Sequence, residues 1–231
     1  MTIKAVVFDA YGTLFNVYSI GALAEELYPS HGAAIAASWR DKQIEYTRLT
    51  TMSDPHGAAG SKYYQSFHDL TRLSLQYALE RLQLAPEPAS IDALMQQYDR
   101  LPLFPENMAV LEQLKADGIQ SAILSNANAD MLNTAVDNAG MTKLLDHVIS
   151  VDSVRLFKTA PESYSLVQQH VTAQKDDILF VSSNAWDVLG ATWFGFQTLW
   201  INRQNMPFET IGPKPTYSGS DLTRVLEITV K

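Results

Sequence analysis

The stretch Lys4-Ala5-Val6-Val7-Phe8-Asp9-Ala10-Tyr11-Gly12 decides the fold. Together with Ile3 it forms an apolar, β-branched run of strand length, stopped by the Asp9 carboxylate and the Tyr11-Gly12 turn signal. A run without alternation predicts a strand buried on both faces, as in the interior of a parallel sheet. It also predicts a charged group at the strand's carboxyl end with no helix directly after it.

Working outward, residues from about Ser19 to Tyr98 are rich in Ala, Leu, Gln and Glu at helical spacing. They are interrupted by turn chemistry at Ser53-Asp54-Pro55-His56-Gly57 and Pro86-Glu87-Pro88. After Leu101-Pro102-Leu103-Phe104-Pro105 the pattern becomes repeated helix–strand units. Helices are predicted over 106–117, 129–139, 161–171 and 185–194, and strands over 121–125, 147–150, 178–182 and 197–201. Gly118, Gly140 and Gly195 stand where helices close. The expected class is α/β: a Rossmann-like parallel sheet flanked by helices, with an inserted helical cap domain. On this reading residues 1–15 and 99–231 form the core domain and residues 16–98 the cap.

The chain has 231 residues, 17 Lys+Arg against 25 Asp+Glu, a net charge of −8 and no cysteine. A thiol nucleophile, an iron–sulfur cluster and a thiolate zinc site are excluded. The acidic total and scattered basic residues argue against nucleic-acid binding. Asp9 ends the first apolar run too early for a secretory core or a membrane span, so a soluble, cytoplasmic protein is expected. An anionic ligand would have to be attracted by local cations against the overall charge.

Each buried strand ends in a polar group: Asp9, then Ser125-Asn126, then Ser182-Ser183-Asn184. Ligands of open parallel sheets bind outside the carboxyl ends of the strands, so these ends should converge on one site. Helix capping is the competing role for Asn126 and Asn184, and taken singly each is as well explained that way. Asp9 is the candidate nucleophile. Asp187, one helical turn past the last of these strand ends, is placed to return to the crevice as a base; first-turn dipole pairing competes for it. Lys158, between a strand and a helix, belongs at the crevice rim. Arg40 lies on a helix with Ala36, Ala37, Gln43 and Ile44 as its neighbours, none of them a carboxylate. Either a distant acid or an anionic ligand is its partner. The five histidines show no metal-ligand spacing, and no serine elbow is present. Tyr63, Tyr64, Phe67 and Tyr77 are spaced as a core stripe.

Phe8-Asp9-Ala10-Tyr11-Gly12-Thr13-Leu14, followed in order by Ser125-Asn126 and Lys158, resembles the haloacid dehalogenase superfamily. More narrowly, Trp39-Arg40-Asp41-Lys42-Gln43-Ile44-Glu45-Tyr46 and Phe180-Val181-Ser182-Ser183-Asn184-Ala185-Trp186-Asp187 resemble the L-2-haloacid dehalogenases. Phosphoryl-transferring members usually carry a second Asp two residues after the nucleophile and a late acidic pair that binds Mg²⁺. Here those positions read Tyr11 and Ser183-Asn184, and Asp9 with Asp187 alone makes a poor site for a hard dication.

The resemblance implies hydrolytic dehalogenation of short-chain (S)-2-haloalkanoic acids to (R)-2-hydroxy acids, without cofactor or metal. Asp9 attacks C2 and forms an ester. Water activated by Asp187, near Lys158 and Asn184, then releases the product. Arg40 and Asn126 receive the halide, and Ser125 with the backbone amides of Ala10 and Tyr11 holds the substrate carboxylate. Thr13 and Ser182 orient the carboxylates, Tyr164 supports the site, and Tyr11, Phe67 and Trp186 are apolar walls. The partners implied are the small haloacid and halide, with a homodimer as the assembly. Ala127 departs from the family's usual Gly, Thr159 from a common Pro and Glu162 from a common Arg. The longer stretch 53–61 is expected as a lid over the cap cleft. Two alternatives stay open: a superfamily phosphatase acting on a small phosphate ester, and a non-catalytic anion binder.

Overall fold

The computed structural model describes residues 2–229. Strand β1 (Ala5–Phe8) is buried at every position. It is joined by β2 (Gln120–Ser125), β3 (His147–Ser150), β4 (Ile178–Ser182), β5 (Gln197–Ile201) and β6 (Tyr217–Gly219) in one sheet of order β3-β2-β1-β4-β5-β6. All pairings are parallel. β1 lies between β2 and β4, so the direction of winding reverses beside it. That reversal opens a crevice at the carboxyl ends of β1 and β4, where Asp9 and Ser182-Ser183-Asn184 stand.

The insertion after β1 carries four helices, α1 (Ile20–Leu27), α2 (Gly32–Met52), α3 (Phe67–Arg81) and α4 (Pro88–Gln97), which pack on one another. Ser66 caps α3 by accepting the Asp69 N–H. Trp39 Nε1 donates to the Thr71 carbonyl at 2.7 Å and ties α2 to α3. The sheet is covered by α5 (Asn107–Ala116), α6 (Ala129–Asn138), α7 (Pro161–Ser165), α8 (Val167–His170), α9 (Ala185–Phe194) and α10 (Arg224–Thr229). Gly195 closes α9 with φ of 103°, a left-handed conformation that favours glycine.

The helix predicted over 161–171 is present as α7 and α8, which meet at Leu166, itself in a helical conformation (φ −56°, ψ −33°). Two expectations are corrected here. Among Tyr63, Tyr64, Phe67 and Tyr77 only Phe67 is fully buried; Tyr63 and Tyr77 are exposed and Tyr64 is half-buried. The stretch 53–61 does not cover the cleft. It docks on the segment after β3: Ser61 N–H donates to the Arg155 carbonyl at 3.1 Å, and Gly60, at φ 82°, packs so closely that a Cβ would stand 2.3 Å from the Val154 carbonyl oxygen. Strand β6 and helix α10 had no sequence signal, since Tyr217-Ser218-Gly219 is a three-residue edge strand without an apolar run.

Candidate active site

Asp9 follows the last residue of β1, its N–H still paired with the Val181 carbonyl at 2.9 Å. Its carboxylate accepts from Thr13 Oγ1 (2.9 Å) and Asn184 Nδ2 (2.9 Å) at one oxygen and from Lys158 Nζ (3.0 Å) at the other. The Lys158 ammonium also stands 3.0 Å from Asp187 Oδ2. Lys158 was expected at the rim; it is buried, because the two carboxylates supply the charge that water would otherwise supply. Burial favours the neutral amine, but Asp187 and Asp9 together outweigh it and hold the ammonium above the usual lysine range.

Asp187, in the first turn of α9, is fully buried and accepts from Tyr164 Oη at 2.8 Å. Burial raises its pKa to about 6, with Asp9 pushing the same way and Lys158 opposing. Tyr164 is pushed well above the ordinary phenol value by burial and by the Asp187 charge, so it remains a donor. The close approach of α9 to Tyr164 requires Gly190: a Cβ there would stand 2.5 Å from Tyr164 Oη and 2.7 Å from Thr159 Cγ2.

Asn184 precedes α9 but makes no side-chain cap. Its side chain instead spans two functional groups, donating to Asp9 and accepting from Arg40 NH2 at 3.1 Å. Arg40 donates further to the Tyr11 carbonyl (3.3 Å) and to Gln43 Oε1 (2.7 Å), and among the described residues no Asp or Glu pairs with it. Ser182 does not bond a carboxylate, contrary to expectation. Its Oγ accepts the Asn184 N–H at 3.1 Å, because it lies two residues back along the same turn.

Asn126 accepts the Lys158 N–H at Oδ1 (2.9 Å), which directs its Nδ2 donors away from Lys158. Ser125 Oγ accepts the Ala127 N–H at 3.1 Å, so Ala127 closes the turn after β2 without glycine. Tyr11 is buried among Phe15, Phe67 and Tyr98, with ring centroids 5.5, 6.1 and 5.7 Å away. Trp186 lies under the Arg48 guanidinium at 5.4 Å. A cleft of about 710 Å³ between α2 and the start of α9 ends on Gly12, Arg40 and Asn184, with Trp186 on its wall.

The structure thus brings together Asp9, Thr13, Lys158, Asn184, Asp187, Tyr164 and Arg40 by direct bonds. Sequence reasoning missed Gln43 and Tyr98 behind Arg40, and the link of Tyr64 Oη to Asp152 Oδ1 at 2.5 Å. Gln43 was visible only as a polar residue three positions from Arg40. Tyr64–Asp152 spans distant segments and left no local signal. No group of three or more His, Cys, Asp or Glu side chains gathers in metal-binding range among the described residues, and the space between Asp9 and Asp187 is taken by an ammonium.

A family model for haloacid dehalogenase-like hydrolases matches residues 3–195. The chain is 39% identical over 220 residues to a (S)-2-haloacid dehalogenase of Pseudomonas putida, covering 95% of each. A solved L-2-haloacid dehalogenase superposes with a TM-score of 0.95 at 48% identity, over 99% of both chains. The L-2-haloacid dehalogenase of Xanthobacter autotrophicus with chloropropionic acid covalently bound superposes with a TM-score of 0.89 at 36% identity, over 98% of both.

Proposed function

The chain belongs to the haloacid dehalogenase-like hydrolases, and from that premise we propose that it hydrolyses short-chain (S)-2-haloalkanoic acids to (R)-2-hydroxy acids and halide. One observation carries the reading. Asn184 joins Asp9 to Arg40, so a carboxylate nucleophile and a cation without a carboxylate partner stand one amide width apart. An in-line displacement at carbon needs that pair: an anion on one side of C2 and a receptor for the departing anion on the other.

Asp9 attacks C2, the carbon–halogen pair leaves with the halide toward Arg40 and the Asn126 Nδ2 donors, and an ester remains on Asp9. Ser125 and the amides of Ala10 and Tyr11 hold the substrate carboxylate, while Tyr11, Phe67 and Trp186 shape the apolar walls. Water then attacks the ester carbonyl and gives its proton to Asp187, whose pKa near 6 suits a base at neutral pH. The bond from the Asp9 acyl carbon to the alkoxy oxygen breaks, the departing alkoxide takes the proton from Asp187 to become the 2-hydroxy acid, and Asp9 returns as a carboxylate. Thr13, Lys158 and Tyr164 keep the two carboxylates in place, and Ser182 acts by holding the Asn184 backbone. Residues 16–98 act as a cap over a core of 1–15 and 99–231.

The reading extends to a cytoplasmic homodimer. No described helix is long and apolar enough to cross a membrane, and Leu49, Met52, Leu73 and Tyr77 expose apolar surface on α2 and α3. Sedimentation velocity checks the assembly. For the activity, ion chromatography of halide released from 2-chloro- and 2-bromopropionate, with and without EDTA, is the test. Halide release unaffected by chelator is expected. No halide from either acid, or Mg²⁺-dependent hydrolysis of a phosphate ester in its place, overturns the reading.

A further inference from the structure

We propose that Gln43 is a positioning residue for halide departure, holding the Arg40 guanidinium toward the cleft with a neutral acceptor so that its charge stays uncompensated. The inference rests on the proposed dehalogenase reading. Gln43 is fully buried on α2, and both ends of its amide are engaged: Oε1 accepts from Arg40 NH1 at 2.7 Å, and Nε2 donates to Thr71 Oγ1 at 2.7 Å and to Tyr98 Oη at 3.4 Å.

The direction of this chain is set from its far end. Thr71 Oγ1 donates to the Phe67 carbonyl at 2.6 Å, so it can only accept from Gln43. A backbone carbonyl has no proton to give. Gln43 must therefore present its nitrogen to Thr71 and its oxygen to Arg40, and an inverted amide would set donor against donor at Arg40 and acceptor against acceptor at Thr71. A leucine or methionine at this position holds nothing. A glutamate accepts from Arg40 but cannot donate to Thr71.

Charge decides the rest. The acceptors of Arg40 are the Gln43 amide, the Asn184 amide and the Tyr11 carbonyl, all neutral. A carboxylate in the place of Gln43 would still accept from the guanidinium but would cancel its charge in a half-buried site, where such pairing is strong. A neutral amide supplies orientation without cancellation. The same chain ends on Phe67, so the cation and the apolar wall of the cleft are set by one row of hydrogen bonds across α2 and α3.

The test compares wild type, Gln43→Glu and Gln43→Met in single-turnover ester formation with 2-bromo- and 2-chloropropionate. Chloride is the poorer leaving group, so its transition state carries more charge toward Arg40. With Gln43→Glu, ester formation should slow by about tenfold or more with the bromo acid and further with the chloro acid, raising the bromo-to-chloro rate ratio. KM should move less than about threefold. Gln43→Met, which removes the acceptor without adding charge, should give a smaller rise and serves if the glutamate variant does not fold. A wild-type ratio in both variants overturns the inference, even if both rates fall. Saturable quenching of tryptophan fluorescence by bromide separates the two readings: a wild type that binds bromide without dehalogenating sinks the dehalogenase, whereas equal bromide affinity in wild type and Gln43→Glu sinks the role of Gln43.

Discussion

Asp9 and Asp187 bind the same ammonium, Lys158 Nζ standing 3.0 Å from one oxygen of each. Two carboxylates at these positions would repel each other across a buried site, and the shared cation lets both stay ionised. Lys158→Met leaves the pair uncompensated. We expect halide release to be lost and unfolding free energy at pH 7 to fall by about 3–5 kcal/mol, as for other buried pairs stripped of one partner. Urea denaturation measures the fall. The deficit should shrink in acid, where a proton can replace the ammonium.

Asp9→Asn removes the proposed nucleophile and keeps the size of the side chain. No ester and no halide are expected from it, and turnover near the wild-type rate would place the nucleophile elsewhere.

The pKa of about 6 at Asp187 sets a pH limb. Protonated Asp187 cannot accept a proton from water, so ester hydrolysis should fall about tenfold per pH unit below 6 and level off above it. A profile flat from pH 5 to 7 would remove Asp187 from the role of base. The effect on stability runs the other way. Asp187 binds its proton more tightly folded than at its ordinary value of 3.8. Its contribution therefore favours the folded state below pH 4 and is lost as pH rises through 6.

Gly190→Ala drives a methyl group against Tyr164 Oη, the donor that orients Asp187. The second half-reaction should slow by about tenfold while ester formation continues. The ester should then accumulate as a covalent adduct of the intact chain, visible by mass spectrometry after mixing with 2-chloropropionate. An adduct level equal to wild type would show that Tyr164 does not govern Asp187.

Tyr64→Phe deletes the bond to Asp152 that fastens the helical insertion to the segment leading into Lys158. A hydrogen bond to a charged group at a half-buried site contributes about 1.5 kcal/mol. That loss should appear in urea denaturation, with a raised KM for the haloacid, because Tyr64 stacks on Phe157 at 4.9 Å and Phe157 lies beside Phe67 at 6.4 Å. An unchanged KM would confine Tyr64 to stability.

The sequence by itself determined the parallel sheet, the helical insertion and the strand-end residues of the site. Apolar runs such as Val6-Val7-Phe8 must be buried on both faces, and Asp9, Asn126 and Asn184 stand within two residues of the ends of the strands they form, so local pattern carries their position. Only the tertiary structure decided which polar groups meet. Lys158 lies 149 positions from Asp9 along the chain and is buried against it rather than solvated at a rim. The segment 53–61 fastens the insertion to the core in place of covering the cleft. Gln43 turns from a neighbour of Arg40 into its holder because Thr71, on another helix, dictates which end of the amide faces which way. Hydrogen-bond direction and charge pairing depend on groups brought together from distant segments, and residue spacing carries no record of them.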